Sequence, residues 1–322
     1  MSKTLAVLLA LGCLWAPAAR AQTYPAKPIT ILVPAAPGGV SDSLARAIAQ
    51  RLGEAWGQQV IVENRGGANH QIGAASVAKA PPDGHMLMLG AETIFVINPT
   101  LYGSKLAYDP KDFAPITGLV RANQALLAHP SFGPKTVGEL IELAKQRPGE
   151  ISYATSGIGS APHVNVALLE SMAGIKLLPV HYRGAAPALN DVVAGHVQLL
   201  SVAVASALQP WRSGLVKMLA IGSQARLPQL PEVPTVAESG LPGYQAVTWF
   251  GLFTTAGTPR EIVGKINAEV HRLFGDGAFR ERFIIPYMYE TMTSSPEQFA
   301  DFVSAETQRW GKVLRDANMK VD

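Results

Sequence analysis

Apolar positions in this chain alternate between short continuous runs and stretches with helical spacing. The run Ile29–Val33 predicts a buried β-strand. Beyond it, apolar residues recur every four positions from Leu44 to Leu52, which is the spacing of one helix face. Ser41 or Asp42 is a suitable first cap for this helix, and Gly53 a suitable end. The start of the chain therefore predicts a strand, a turn and an amphipathic helix.

The same alternation continues through the rest of the chain and predicts an α/β fold with a largely parallel sheet. The predicted later strands are 59–63, 86–89, 120–128, 151–154, 177–181, 198–203, 216–221 and 244–253. The predicted later helices are 71–79, 137–147, 161–172, 186–194, 259–274 and 296–318. A proline-rich connection, 227–242, precedes the last strand.

The turn after the first strand, PAAPGGVSD at 34–42, is the first candidate for chemistry. Gly38 and Gly39 allow a ligand to approach the backbone closely. The first N–H groups of a helix have no internal partner and lie at the positive end of its dipole. The segment therefore has the features of an anion-binding turn, although an ordinary strand-to-helix connection has the same composition.

Two further strand–glycine–helix turns occur in the second half of the chain. One is 153–163, with Gly157, Ser160 and His163; the other is 181–187, with Arg183 and Gly184. Ligands of open α/β sheets collect beyond the carboxyl ends of the strands, where such turns lie. Three turns of this kind in one chain favour a shared binding site over three ordinary loops.

Composition limits where the protein works and what it binds. The first 21 of 322 residues combine Lys3, an apolar core and an A-x-A site, which predicts a signal peptide cleaved after Ala21 and export to the periplasm. Cys13 lies inside it and faintly suggests lipidation as an alternative. Removing Lys3 and Arg20 from 27 basic residues leaves 25 against 24 acidic ones, a formal net charge of +1. With no basic run, nucleic-acid binding is not expected.

Motifs for catalysis are missing from the sequence. There is no G-x-x-x-x-G-K-[ST] phosphate loop and no G-x-S-x-G nucleophile turn, and the seven histidines never show H-x-x-x-H spacing. We therefore expect no enzyme activity, no metal and no cofactor. A Ser–His–Asp triad needs no local motif, so a secreted hydrolase stays open as the alternative from another class.

At this point several motifs carry a resemblance to a known family. They are the run 24–68, PPDGH at 81–85, NPTLY at 98–102, SGIGSAPH at 156–163 and YRGAAPALNDVVAGHV at 182–197. In this order, over essentially the whole mature chain, they resemble the substrate-binding proteins of tripartite tricarboxylate transporters, also called Bug receptors.

The resemblance implies a type II periplasmic binding protein fold, with two α/β domains joined by crossing hinge strands and a ligand cleft between them. It implies a discontinuous first domain, 22–122 plus 247–322, and a second domain, 123–246. It also implies a monomer that binds a small mono- or dicarboxylate and delivers it to the subunits of a membrane permease. A receptor of the same fold that serves a sensor kinase or acts as an orphan remains the alternative partner assignment.

The same resemblance places the ligand on the three turns. The predicted ligand-binding residues are Ala36, Gly38, Gly39, Asp42, Ser156, Gly157, Ser160, His163, Arg183, Gly184 and Asp191. Asp42 is expected to fix its loop, since a bare carboxylate repels an anion, and Asp191 is expected to be structural. Arg183 is either the cationic clamp for a second carboxylate or a surface partner of Asp191.

The chain departs from the family pattern beside the first turn. Where the family has GAGG, this sequence has GANH, so that His70 stands at a glycine position and Gln71 follows it. Ala35 and Ala36 also replace bulkier residues and leave more room beside the loop. Each change either adjusts selectivity or only alters the loop, and each leaves the identity of the carboxylate open.

Overall fold

The computed structural model describes residues 24–316, so the predicted signal peptide lies outside the described residues. Ten strands lie in this range: β1 (Ile29–Val33), β2 (Val60–Asn64), β3 (Met86–Ala91), β4 (Phe113–Ala128), β5 (Ser152–Thr155), β6 (Leu178–His181), β7 (Leu199–Ala203), β8 (Lys217–Ile221), β9 (Val247–Thr255) and β10 (Tyr289–Thr291). The predicted alternation of strands and helices is present.

The α-helices of the described residues are α1 (Val40–Trp56), α2 (Gln71–Ala78), α3 (Asn98–Tyr102), α4 (Val137–Gln146), α5 (Ala161–Ala173), α6 (Ala185–Val193), α7 (Val204–Arg212), α8 (Arg260–Gly275), α9 (Gly277–Phe283) and α10 (Pro296–Asp316). A π-helical turn, Thr93–Ile97, follows β3 directly. Such turns are rare in proteins, and those that occur are often found at functional sites.

The first helix differs from its predicted bounds at both ends. It begins at Val40, one residue after the extended Gly39, and not behind a Ser41 or Asp42 cap. It passes through Gly53 and ends at Gly57, whose φ of +63° is left-handed. Gly57 fits this conformation without a side-chain clash, so it, and not Gly53, terminates the helix.

Strand β4 is longer than the sequence pattern predicts. Its first seven residues include Pro115 and Gly118, which hide the alternation, and its pairing with β9 shifts register near both residues. Helix α7 was not predicted, because its nine residues carry an internal Pro210 and follow β7 without a turn. Both elements are fixed by tertiary pairing and not by local pattern.

The strands form one continuous path in the order β2-β1-β3-β9-β4-β7-β5-β6. Strands β1, β2 and β3 are mutually parallel, as are β7, β5 and β6, whereas β9 and β4 run antiparallel to their neighbours. Two parallel half-sheets are therefore linked through a pair of antiparallel strands.

Strand β4 changes its partners partway along. Residues up to Asn123 pair with β9, with β10 on the other edge, and residues from Gln124 pair with β7 and β8. The residue at which the partners change is thus the physical link between the two half-sheets.

An aromatic cluster packs the C-terminal helix α10 over these linking strands. Phe299 is fully buried, and its ring lies 5.7 Å from that of Trp249 and 5.2 Å from that of Phe253. Trp249 therefore belongs to the core, as its size suggests. Over residues 24–316, no helix has both the length and the apolar character that crossing a bilayer requires.

Candidate functional site

The carboxyl ends of β1, β3 and β5 meet around a small pocket, which we call the inner pocket. Its volume is about 220 Å³. It is lined by Pro34, Ala35, Val40, Ser41, His70, Leu89, Ala91, Thr93, Ile94, Ser156, Ser160, Ala161, Pro162, Thr248 and Phe250. The first turns of α1 and α5 thus line the same pocket, although about 120 residues separate them in the sequence.

A second pocket, the outer pocket, lies against the tip of the same β1–α1 loop. Its volume is about 450 Å³. It is lined by Ala36, Pro37, Gly38, Gly39, Arg183, Gly184, Ala185, Ala186, Pro187, Leu189, Val202 and Ser206. The β1–α1 loop therefore faces the start of α5 in the inner pocket and the start of α6 in the outer pocket.

The start of α1 presents unused backbone donors. The first bond of this helix runs from the Ser43 N–H to the Gly39 carbonyl, at 3.0 Å. The N–H groups of Val40 and Ser41 precede it, so they have no partner inside the helix. Both residues line the inner pocket, where these donors and the helix dipole favour an anion.

Asp42 holds the loop that leads into this helix. Its carboxylate accepts a hydrogen bond of 2.9 Å from the Gly38 N–H and pairs with Arg46 at 3.0 Å. Gly38 has a φ of +88°, which glycine adopts without strain. Asp42 lines neither pocket, and the Gly38 N–H donates to its carboxylate. Asp42 therefore positions the loop and does not face the pockets.

The charge of Asp42 is stabilised by its surroundings. Burial would raise the pKa of this carboxyl, but hydrogen bonds from Arg46, from the Gly38 N–H and from Asn64 outweigh burial and hold the pKa below its ordinary value. The loop is therefore held by an ionised carboxylate at neutral pH.

The start of α5 is shaped by bonds among the turn residues. Ser160 is the N-cap residue, but its hydroxyl donates to the Gly157 carbonyl at 2.7 Å instead of capping the helix. The Gly157 N–H donates to the Thr155 hydroxyl at 3.1 Å. Gly157 lines neither pocket, whereas Ser156 and Ser160 face the inner one.

His163 faces away from both pockets. Its Nδ1 accepts a hydrogen bond of 3.1 Å from the Gly159 N–H, and its ring lies 5.2 Å from that of His181. Burial, together with His181, lowers the pKa of His163 to about 4, so the imidazole is neutral at pH 7. Its observed role is to support the turn that carries Ser156 and Ser160.

In the third turn, Arg183 and Asp191 do not pair. Asp191 accepts a hydrogen bond of 2.6 Å from the Tyr182 hydroxyl and lies 3.4 Å from His196, and it lines neither pocket. Arg183 is exposed, lines the outer pocket and forms no ion pair within residues 24–316. The guanidinium is thus available to a ligand in the outer pocket.

Among the described residues, those that line the inner pocket include no Asp, Glu, Lys or Arg. Besides Asp42, the carboxyl adjacent in sequence to the lining residues is that of Glu92, between Ala91 and Thr93. Burial raises its pKa to about 8, and it accepts a hydrogen bond of 2.7 Å from the Trp249 N–H. Being protonated at neutral pH, it places no negative charge beside the pocket.

Several lining residues were not among the predicted ones. Thr248 and Phe250 come from β9, on either side of the core residue Trp249, and Thr93 comes from the π-helical turn. The alternation of a half-buried strand accounts for Thr248 and Phe250, but only the pairing of β9 with β3 brings them to the site. His70 was noted as a departure, and its place in the pocket wall was not predicted.

The two halves of the chain touch at the mouth of the inner pocket. A Cβ atom built on Gly159 would lie 2.3 Å from Leu101 Cδ1 and 3.3 Å from Asn69 Nδ2. A side chain here would require Leu101 to move and would be strained at the φ of +73°, so glycine fits this close packing. The second turn thus packs directly on the 67–70 loop and on α3.

The chemistry of the site is that of binding by neutral donors. Backbone N–H groups at helix starts and the hydroxyls of Ser41, Thr93 and Ser156 converge on a small, mostly apolar space. Among residues 24–316, no group of three or more His, Cys, Asp or Glu side chains is placed to hold a metal ion. The arrangement suits a compact anion.

A family model described as "Tripartite tricarboxylate transporter family receptor" matches residues 44–319 of this chain. Among curated relatives, a "UPF0065 protein in tcbD-tcbE intergenic region" from Pseudomonas sp. strain P51 is 37% identical over 298 residues, covering 92% of this chain and 88% of its own length. The family model covers the second and third turns, 153–163 and 181–187, and begins just after the first turn, 34–42.

Solved structures agree with this match. Rpa4515 from R. palustris with adipate has a TM-score of 0.86 at 34% identity, covering 92% of this chain and 100% of that protein. MatC (Rpa3494) from Rhodopseudomonas palustris with bound malate has a TM-score of 0.81 at 33% identity, covering 90% and 100%. The two-domain α/β fold of periplasmic binding proteins, which the sequence motifs predicted, is therefore confirmed.

Replacing Asp42 by alanine tests its role in holding the loop. The change removes the acceptor of the Gly38 N–H and the Arg46 ion pair, so we expect the free energy of unfolding to fall by about 1–2 kcal/mol at pH 7. Because the folded pKa of Asp42 is lowered, its contribution is complete above the unfolded pKa of about 3.9 and is lost as the pH falls through the folded value.

The measurement is urea unfolding at pH 7 and pH 3, with Asp301→Ala on the exposed side of α10 as the matched control. The loss of unfolding free energy in Asp42→Ala should be larger at pH 7 than at pH 3, while the control stays near zero at both. An equal deficit at both pH values would contradict the stabilising role of the ionised carboxylate.

Proposed function

The chain belongs to the receptor family of tripartite tricarboxylate transporters, and we propose that it binds a small mono- or dicarboxylate between its two domains. The observation that carries this proposal is the convergence of the starts of α1 and α5 on an inner pocket whose walls hold no charged side chain. A carboxylate gains hydrogen bonds from the free N–H groups there and meets no opposing carboxylate.

The binding free energy that such donors can supply is adequate for a transport receptor. Hydrogen bonds to a charged group contribute about 1.5–3 kcal/mol each. Several preformed donors can therefore supply the roughly −8 kcal/mol of micromolar binding after the cost of association is subtracted. The site needs no buried counter-ion, which would itself be expensive to desolvate.

Two similar proteins support the ligand class. Rpa4515 is described with adipate and MatC with malate, both small dicarboxylates. In our proposal one carboxylate lies at the start of α1, near Val40 and Ser41. The second is directed toward the outer pocket, where Arg183 is the cation among the lining residues.

The predicted site residues divide by role in this proposal. Those proposed to face the ligand, from their places in the two pockets, are Ala36, Gly39, Ser156, Ser160, Arg183 and Gly184. Those proposed to hold the turns, from their hydrogen bonds, are Gly38, Asp42, Gly157, His163 and Asp191. Gly38, Gly157 and the two carboxylates thus shape the loops that carry the contacts.

We place the domain boundaries at 122/123 and 246/247. The change of β4 partners at Asn123 and Gln124, and the start of β9 at Val247, support both positions. Closing of the cleft would then bend the chain at the linking strands. The Gly159 contact with Leu101 and Asn69 fits the closed arrangement.

Family members are solute-binding proteins, so the role we propose is binding without catalysis. We further propose that the chain is exported to the periplasm and delivers its ligand to a permease of the tripartite class. Adjacent genes for the two permease subunits would support delivery to transport. A neighbouring sensor kinase would instead support a signalling role for the same receptor.

Calorimetric titration tests the ligand class directly. The panel contains aliphatic, hydroxylated, amino and aromatic mono- and dicarboxylates, together with the neutral amides of the same acids. We expect at least one small carboxylate to bind with a micromolar Kd and its amide to bind at least a hundredfold more weakly, because the donors face a negative charge. If correctly folded protein shows no binding of any carboxylate in the panel, the proposal is contradicted. Hydrolysis of an ester by the protein would also contradict it.

Gly39→Val tests the first turn. A Cβ atom on Gly39 meets no other atom within 4 Å, so a side chain there projects into the open space of the outer pocket. We expect at least a hundredfold loss of affinity for the best dicarboxylate, whose second carboxylate we place toward the outer pocket, while unfolding remains cooperative with a loss of about 1 kcal/mol at the cap.

The matched control for this variant is Gly264→Val, an exposed position in α8 whose added Cβ is equally unobstructed. It should bind as the wild type does. Unchanged affinity in Gly39→Val would remove the β1–α1 loop from the site.

Arg183→Ala tests the clamp for a second carboxylate. We expect about a tenfold loss of affinity for a dicarboxylate and no loss for the monocarboxylate of the same chain length, since only the former reaches the outer pocket. Arg212→Ala, at the exposed end of α7, serves as the control. Equal losses for both ligands would show that Arg183 does not select the second carboxylate.

A further inference from the structure

The loop that precedes α2 has an unusual backbone. Gly67, Ala68, Asn69 and His70 all have positive φ, at +121°, +46°, +50° and +73°. Three consecutive non-glycine residues in the left-handed region are strained, and such strain persists only where surrounding contacts enforce it. A glycine at position 70 would relieve part of it, so the histidine there has a local cost.

The loop is held in place by contacts on both sides. Asn69 exchanges hydrogen bonds with Asn98, from Nδ2 to Oδ1 at 2.8 Å and from Asn98 Nδ2 to the Asn69 carbonyl at 2.7 Å. Gln71 accepts a hydrogen bond of 3.1 Å from the Ala107 N–H. The side chains of Asn69 and Gln71 are thus engaged in contacts within the protein. The imidazole of His70, in contrast, lines the inner pocket.

The tautomer of His70 is fixed by a single contact. Nδ1 contacts the Pro34 carbonyl oxygen, which only accepts hydrogen bonds, so Nδ1 carries the proton and donates it. Nε2 has no hydrogen-bond partner within residues 24–316. Burial lowers the pKa of the ring, so it stays neutral at pH 7 and Nε2 keeps its lone pair.

An acceptor in this position distinguishes between carboxylates. A carboxylate oxygen also only accepts, so it gains nothing from Nε2, whereas a hydroxyl or ammonium group donates to it. The inner pocket holds about 220 Å³, and Val40 and Ser41 line it together with His70. A donor that reaches Nε2 from a carboxylate bound at the start of α1 must therefore lie close to that carboxylate.

We propose that His70 is a specificity-determining residue that selects carboxylates with a hydroxyl or amino group on the adjacent carbon. The inference rests on the proposed carboxylate-binding function and assigns a narrower substrate class to the same site. The donor's hydrogen is accepted by Nε2, while the carboxylate is bound by the backbone donors of α1.

Matched ligand pairs test this assignment. Titrations compare malate with succinate, which differ by one hydroxyl, and aspartate with succinate, which differ by one amino group. In the wild-type protein we expect malate or aspartate to bind about tenfold more tightly than succinate. The two arms show whether the hydroxyl or the amino group is the preferred donor.

The variant is His70→Gly, and the matched control is Ala68→Gly. Both place glycine at a left-handed position of the same loop, but Ala68 is exposed and its replacement keeps the imidazole. We expect the tenfold preference to fall to within about twofold in His70→Gly and to persist in Ala68→Gly. Both variants should melt cooperatively, since glycine fits each backbone conformation.

If His70→Gly does not fold, His70→Asn carries the same expectation, because asparagine tolerates the left-handed region but is too short to present an acceptor at the position of Nε2. A preference that survives in both variants, or a wild-type preference for succinate, would overturn the role of His70 and leave the carboxylate function intact. Absence of binding by every carboxylate would overturn the function and this inference together.

Discussion

The exchange of partners along β4 is the constraint on which the rest of the structure depends. One strand is hydrogen-bonded to β9 and β10 in its first part and to β7 and β8 in its last. Both half-sheets are therefore fixed to the same backbone, and the carboxyl ends of their parallel strands meet at one cleft. The helix starts that follow β1 and β5 face each other for this reason, and neither half-sheet forms the inner pocket alone.

The carboxyl groups near the inner pocket either face away from it or are protonated. The carboxylate closest to the first turn, Asp42, is turned back to the Gly38 N–H and to Arg46, where it shapes the loop and does not face the pocket. Glu92 is buried and protonated at neutral pH. The field in the inner pocket is thus set by helix dipoles and free N–H groups, which favour an anion without a buried counter-ion.

The sequence was a good guide to the elements and to the fold, and a weaker guide to individual side-chain contacts. Strand–glycine–helix turns are local, so the pattern and the family resemblance together pointed to Gly39, Ser156 and Arg183. These residues line the pockets, and their contact with a ligand stays a prediction. His163 and Asp191 lie on the same turns, but their side chains bond to Gly159 and Tyr182, because helix phase and neighbour packing decide which way a residue faces. The β9 residues could not be assigned, since their place depends on pairing with a strand about 160 residues away.

In the binding mode we propose, affinity and selectivity arise from different parts of the chain. Backbone donors at the start of α1 recognise a carboxylate whatever carbon skeleton it carries, so they set the ligand class and are compatible with many sequences. His70 lines the inner pocket and Arg183 the outer one, and we propose that these side chains meet the groups by which carboxylates differ. Two proteins about a third identical to this chain share its fold, and one is described with adipate and the other with bound malate. The left-handed backbone at His70 is consistent with this proposal, because a locally unfavourable residue persists where it supplies a contact that glycine cannot.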